Sequence, residues 1–185
     1  VQLMIWVILA VLVLLVIWFV ATYNGFVSLR NRVDEAFSTM DVYLVKRYDL
    51  IPNLVETVKG YTKHESETLE KVIKARNAAV SATTPAEKLE SETELAGTLS
   101  RLFALTEAYP ELKANTNFMN LQDQLNKMEG EIANARKYYN GVVKTFNTKC
   151  ETIPSNIIAG ICGFVKQPMF VVQDESQRDS VKVQF

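Results

Sequence analysis

Apolar and polar positions divide the chain into three patterns. From Leu3 to Ala21 the sequence reads LMIWVILAVLVLLVIWFVA, nineteen positions whose only polar side-chain atoms are two indole nitrogens. A helix rises about 1.5 Å per residue, so this run covers roughly 28 Å, close to the ~30 Å hydrocarbon core of a bilayer. Trp6 stands near one end, and Trp18 and Tyr23 near the other, where amphipathic aromatics favour the membrane interface. Leu3, Trp6, Leu12, Trp18 and Ala21 therefore mark an expected membrane anchor. A secretion signal has a shorter apolar stretch, preceded by positive charge and followed by small residues. Here no Lys or Arg precedes the stretch and its end is bulky, so a retained single pass is expected.

From Phe26 the apolar positions fall into alternating steps of four and three. Phe26, Arg30, Val33, Phe37, Met40, Leu44, Arg47, Ile51, Leu54, Val58 and Tyr61 keep one phase, and only the two arginines interrupt it. That is a sustained heptad helix. Pro52 lies inside it; lacking an N–H, it should kink the helix, or reverse the chain. Gly60 reads as the end, with a capping box at Thr62-Lys63-His64-Glu65.

A second helix is expected from His64 to Ala82, with Glu67–Lys71 and Glu70–Lys74 pairs on its wet face. Thr84 as N-cap and Pro85 at the first helical position open a third, running to Ala108 and carrying Leu89, Leu95, Leu99, Leu102, Phe103 and Leu105. Tyr109-Pro110 ends it, and Asn115-Thr116-Asn117 starts the last long helix. There Phe118, Leu121, Leu125, Met128, Ile132, Ala135, Tyr139, Val142 and Phe146 hold the three-four phase without a polar break. Gly130 and Gly141 weaken that helix by about 1 kcal/mol each relative to Ala, which points to close packing at both.

The third pattern follows Pro154. Residues Ile157 to Val172 are apolar but broken by Gly160, Gly163 and Pro168, too short to cross a bilayer. The segment can pack on the bundle, lie on the membrane surface or join subunits; Ile157, Ile161, Phe164 and Phe170 are its candidate contacts. Gln173 to Phe185 is polar and expected to be mobile. Together the patterns predict an all-α chain: an N-terminal single transmembrane helix at 1–23, an antiparallel four-helix bundle of long helices at 24–153, and an apolar segment with a polar tail at 154–185. A pair of long kinked hairpin arms is the competing arrangement.

Charge adds direction to this picture. Arg30 and Arg32 follow the span and no basic residue precedes it, favouring an outside N-terminus and a cytoplasmic bundle. Lys and Arg number 20 against 21 Asp and Glu, a net charge of -1 over 185 residues. That balance excludes the strongly basic footprint of a dedicated nucleic-acid binder.

Several strings are unusual enough to carry a family resemblance. They are Tyr23-Asn24-Gly25 after the anchor, Arg30-Asn31-Arg32-Val33-Asp34-Glu35-Ala36, and the run from Lys46-Arg47-Tyr48-Asp49-Leu50-Ile51-Pro52-Asn53 to Gly60-Tyr61. His64-Glu65, Tyr109-Pro110-Glu111-Leu112-Lys113-Ala114-Asn115, Ile132-Ala133-Asn134-Ala135-Arg136, Phe146-Asn147-Thr148 and Pro154-Ser155-Asn156 belong with them. In these the chain resembles the LemA family from the anchor to about Phe170. The resemblance implies a bacterial single-pass membrane protein with a four-helix soluble domain, its N-terminus outside, and no established enzymatic activity. A magnetosome-membrane relative suggests, by analogy, a role in organising membranes.

Candidate chemistry is sparse. His64, the only imidazole, lacks a local nucleophile or orienting partner and reads as a helix-start residue. Cys150 and Cys162 stand twelve apart without a nearby His, so no zinc site is expected, and in a cytoplasmic bundle both should be free thiols. No cofactor is called for. Arg30 and Arg47 interrupt the first seam. Arg30 reads as a snorkelling or solvated edge, whereas Arg47 is a candidate for burial against a carboxylate, Asp49 or one from another helix, where it would fix register with Pro52 nearby. Acidic Asp34, Glu35, Asp41 and Asp49 interleave with the basic residues, so no polybasic patch forms. Asparagines 115, 117, 134, 140 and 147, with Arg136, are expected as caps, exposed positions or an interhelical polar network.

The expected function is that of a non-enzymatic membrane-anchored helical scaffold, with the bilayer and further copies of itself as partners. An adaptor or regulator that binds another membrane protein, such as a protease or transporter, is the alternative. Nucleic acid is not an expected partner.

Overall fold

The computed structural model describes residues 1–171 and contains six helices and, among those residues, no strand. They are α1 (Gln2–Lys59), α2 (Ser66–Ser81), α3 (Pro85–Thr106), α4 (Pro110–Lys113), α5 (Thr116–Glu151) and α6 (Ser155–Cys162). The expected polar tail, Gln173 to Phe185, and Val172 lie outside the described residues.

The expected anchor and first bundle helix are one element. Helix α1 passes without interruption from the apolar run into the heptad region, and its first eighteen-residue apolar window has no buried residue. It is the one helix among the described residues long and apolar enough to cross a membrane. Pro52 sits half-buried inside α1 and does not reverse the chain. The helix closes where Gly60 predicted, because the amides of Tyr61 and Thr62 both return to the Val58 carbonyl, at 3.0 and 3.1 Å.

That closure overturns the capping box expected at Thr62. The Thr62 hydroxyl bonds back to the same Val58 carbonyl (3.0 Å), and α2 starts at Ser66 after Glu65, with no side-chain cap. The box at Thr84 does form. The Glu87 amide donates to Thr84 Oγ1 (3.3 Å), and the Glu87 carboxylate accepts from the Thr84 amide (3.2 Å). Donation by the Thr83 and Thr84 amides holds the Glu87 carboxyl below its usual pKa. A further cap comes from Asn115, whose Oδ1 accepts from the Phe118 amide at 3.0 Å and opens α5.

The chain forms two compact units. One comprises Asp41–Asn134 and takes in Phe170. It is an antiparallel four-helix bundle of the last third of α1, α2, α3 and the first half of α5, joined by short turns and by α4. Leu44, Ile51, Leu54 and Val58 of α1, Val72 and Ala75 of α2, Leu95 and Leu102 of α3, and Leu125 and Ile132 of α5 are buried there. Each buried Leu, Ile or Val among them contributes about 1.5–3 kcal/mol of transfer free energy.

The other unit comprises Val1–Met40 and Ala135–Met169. Phe26, Val33 and Met40 of α1, and Tyr139, Val143 and Phe146 of α5, are buried in it. Along α5 as a whole the buried seam falls at Phe118, Leu125, Ile132, Tyr139 and Phe146, every seventh residue, while Leu121, Met128, Ala135 and Val142 are only half-buried. Gly130 and Gly141 lie outside this seam. Both are exposed, and a Cβ at either would meet nothing within 4 Å, so neither serves the expected close packing.

Candidate functional site

Heptad spacing places Arg47 in line with Met40 and Leu54, on the face that becomes core. A guanidinium there needs carboxylates, because an unpaired buried charge is costly. It receives two. One of its terminal nitrogens contacts Glu92 of α3, and the other donates to Glu129 of α5 at 2.7 Å. Arg47 and Glu92 are both almost wholly buried, whereas Glu129 is half-open to solvent. Burial works against the Arg47 charge, but the two carboxylates outweigh it and raise its pKa above the ordinary value.

Tyr48 completes the cluster by donating its phenol to the second oxygen of Glu92. Burial, followed by the charge of Glu92 and its hydrogen bond to the phenol, pushes the Tyr48 pKa well above that of a free tyrosine. Beside it, Lys88 donates to the Ala79 carbonyl (3.0 Å), lies 3.1 Å from Asp41, and holds its ammonium 5.4 Å from the centre of the Tyr48 ring. The network ties α1, α2, α3 and α5 at one level of the bundle. Each helix contributes a partner that a slip by one turn would strand. Register fixing is the work this arrangement can do.

Asp49 is exposed and has no part in the network; the Arg47 partners come from two other helices. Glu92, Lys88, Glu129 and Tyr48 were not among the expected residues. A signal for two of them exists in α3: positions 88, 92, 95, 99 and 102 keep the three-four phase, so Lys88 and Glu92 head the seam that Leu95 continues. The expected Leu89 is only half-buried.

In the other unit, α6 closes with Gly163 at φ +72°, a left-handed C-cap. The turn delivers Phe164 into an aromatic cluster. Its ring stacks on Phe26 at 4.8 Å between centroids, meets Tyr23 at 5.7 Å and Phe146 at 6.4 Å, and carries the Arg30 guanidinium at 5.6 Å. Arg30 is thus an exposed side chain lying on an aromatic face. Further along, Asn147 and Gln167 exchange two hydrogen bonds of 2.8 and 2.9 Å, and Tyr139 donates to the Pro168 carbonyl at 3.0 Å. The four candidate contacts of this stretch divide: Phe164 and Phe170 are buried, Ile157 and Ile161 exposed.

Of the anchor residues, Leu3, Trp6, Leu12 and Ala21 are exposed and Trp18 is half-exposed. Cys150 and Cys162 are free thiols, both half-buried. Burial, with Glu151 adding to it, raises the Cys150 pKa. No group of three or more His, Cys, Asp or Glu among the described residues is arranged to hold a metal ion. The bundle unit also carries a groove of about 580 Å³ with Val55, Leu69 and Ile73 in its lining and Lys59, Lys63 and Lys74 among its charged residues.

A model of the LemA family matches residues 36–185. Among individual proteins, the chain is 27% identical over 145 residues to protein LemA of Metamycoplasma hominis, covering 76% of this chain and 65% of that protein. It is 25% identical over 188 aligned positions to magnetosome protein MamQ 2 of Paramagnetospirillum magneticum (85% and 69% covered). To magnetosome protein MamQ of Magnetospirillum gryphiswaldense it is 23% identical over 192 positions (88% and 71%). The chain thus spans about two thirds of the length of these relatives. With a family model matched from Ala36 to Phe185 and a helical bundle following an apolar N-terminal helix, the chain belongs to the LemA family.

Proposed function

We propose that this protein is a non-enzymatic scaffold, anchored in the bacterial membrane by residues 3–21 of α1, that self-associates there and organises or remodels the bilayer. The observation that carries the reading is the continuity of α1. One helix has no charged side chain and no buried residue over positions 3–21 and supplies a heptad core over the rest, with no linker between. A bundle so joined to its span is held at the membrane. Confinement to a plane raises effective concentration, so weak contacts between copies suffice for assembly. Val42, Val45, Val80, Met119 and Tyr138 are exposed large apolar residues available for such contacts.

The orientation proposed is N-terminus outside and bundle in the cytoplasm, supported by Arg30 and Arg32 on the bundle side of the span. The membrane-organising part of the reading is taken by analogy with the relatives named as magnetosome proteins. The buried Arg47 network supports a structural role, since its charged groups are spent on one another.

The test is the particle mass of the full-length protein extracted with its native lipid, by light scattering or single-particle mass measurement. Defined multimers of this chain alone are expected. A single-chain mass across a range of protein concentrations overturns self-association.

A further inference from the structure

We infer that α6 is a second membrane contact: its outer apolar face enters the bilayer interface beside the end of the α1 span. The inference rests on the reading of residues 3–21 as membrane-spanning, and is independent of self-association.

Position in the fold carries it. Within the unit that holds the span, α5 runs antiparallel to α1: the Phe37 ring meets Tyr139, the Phe26 ring meets Phe146, and Lys149 reaches the Phe26 ring at 4.9 Å. Continuing that register at about 1.5 Å per residue sets Ile153 at the level of roughly residue 22, the last turn of the apolar run. The chain then makes α6 and comes back with Phe164 against Tyr23 and Phe26. Both ends of α6 are therefore pinned at the height where the apolar run stops. Ser155 reinforces the near end by donating to the Lys149 carbonyl at 2.7 Å.

The face that α6 turns outward is apolar. Ile158 and Ala159 are buried, but Ile157 and Ile161, one turn apart on the helix, are 54% and 71% exposed, while Ile153 just before the helix and Val165 just after its left-handed cap are 84% and 67% exposed. In water this would leave four large aliphatic side chains, two on the helix and one at each of its ends, without cover. At the end of a membrane span it is the face of an interfacial helix, whose apolar side sits about 5–10 Å into the boundary between headgroups and chains. Arg30 and Lys149 at the same level supply cations suited to the headgroup layer, while Lys166 just beyond is paired with Glu151 at 2.6 Å.

The test uses full-length protein with W6F and W18F, so that an indole placed on α6 is the sole tryptophan, reconstituted in phosphatidylcholine–phosphatidylglycerol vesicles. I161W and I157W are made separately, with A104W, at an exposed position of α3, as the bundle control. Both sites are exposed, so the substitutions leave the fold intact. The expected result is blue-shifted emission from the α6 variants, quenched by roughly half or more by lipids brominated near the headgroup end of the chain and less by lipids brominated near its tip. The control should emit as a water-exposed indole. Water-like emission from both α6 variants in protein that floats with the vesicles overturns the inference while leaving the anchor intact. Blue-shifted emission that bromine does not quench, and that reverts as protein is diluted in lipid, assigns the face to a second copy and overturns it too. Protein that does not float with the vesicles overturns the anchor reading, and the inference with it.

Discussion

Arg76 supplies the proton that Pro52 lacks. In an unbroken helix the amide of residue 52 would donate to the carbonyl of Tyr48, but proline has none. In its place Arg76 of α2 donates Nε–H to the Tyr48 oxygen at 3.3 Å. The proline thus stays within α1 because a neighbouring helix satisfies the acceptor it leaves free, and the same bond fastens α2 to α1.

A double-mutant cycle tests this coupling. R76M should destabilise the bundle by about 1–3 kcal/mol, the cost of a buried acceptor without a donor. In a P52A background the restored amide serves Tyr48, and the cost of R76M should fall to a few tenths of a kcal/mol beyond lost packing. The measurement is denaturant unfolding of full-length protein in lipid nanodiscs, followed by circular dichroism. Equal costs in the two backgrounds would show that the bond does not answer the proline.

The Arg47–Glu92 pair gives a second prediction. Removing one partner leaves an uncompensated charge in the core, so R47M or E92L alone should cost about 3–5 kcal/mol. Removing both, as R47M with E92L, should recover much of that loss, because a buried ion pair is often no more stabilising than apolar residues of similar size. What the double variant should lose is uniqueness of register. Broadened amide spectra in the bundle with near-normal stability are the expected signature; a double variant as unstable as the sum of the singles would reject a purely structural pair.

Much of this was legible in the sequence and some was not, for physical reasons. The helices were readable because period is a local property: spacing alone announces most of the buried face from Phe26 to Val58, whereas Tyr61 is exposed and, from Phe118 to Phe146, only every seventh position of the expected stripe is buried. The Thr84–Glu87 box was readable because both partners lie within one turn, and the box at Thr62 failed because the preceding helix captured the hydroxyl first. Arg47 was conspicuous as a charge on an apolar seam, but its partners lie 45 and 82 residues away, beyond the reach of any local pattern. Helix α6 was hidden for a related reason. Gly160 and Gly163 look like breaks, whereas one is an exposed helical position and the other a left-handed cap.

Tyr48 yields a pH dependence. Its phenol is held protonated well above the ordinary value by burial and by Glu92, whereas the unfolded chain releases that proton near pH 10. A group raised in the folded state contributes its stability in full below the unfolded pKa and loses it as pH rises beyond. The stability advantage of the wild type over Y48F should therefore be constant up to about pH 9 and shrink above pH 10, by at most about 1.4 kcal/mol per pH unit. Paired unfolding curves at neutral and alkaline pH check it, and comparison with Y48F cancels the other six tyrosines. A difference that does not move with pH would mean that the phenol titrates normally in the folded protein.

Gly130 and Gly141 lie within α5, are exposed, and have open space where a Cβ would stand. Helical glycine costs about 0.5–1 kcal/mol relative to alanine, through the freedom it loses on folding and the backbone it bares to water. G130A and G141A should therefore each stabilise the protein by about that amount, and additively, since the two positions are eleven residues apart on one helix and share no partner. Gly25 is the contrast. A Cβ there would collide with the Lys149 ammonium and push it from its seat over the Phe26 ring, so G25A should gain less than the other two or lose stability. Unfolding midpoints of the three single variants and the G130A/G141A pair decide the matter. Loss of stability at residue 130 or 141 would mean that something packs there that one chain alone does not supply, and a second copy of α5 would then be the first surface to test by cross-linking.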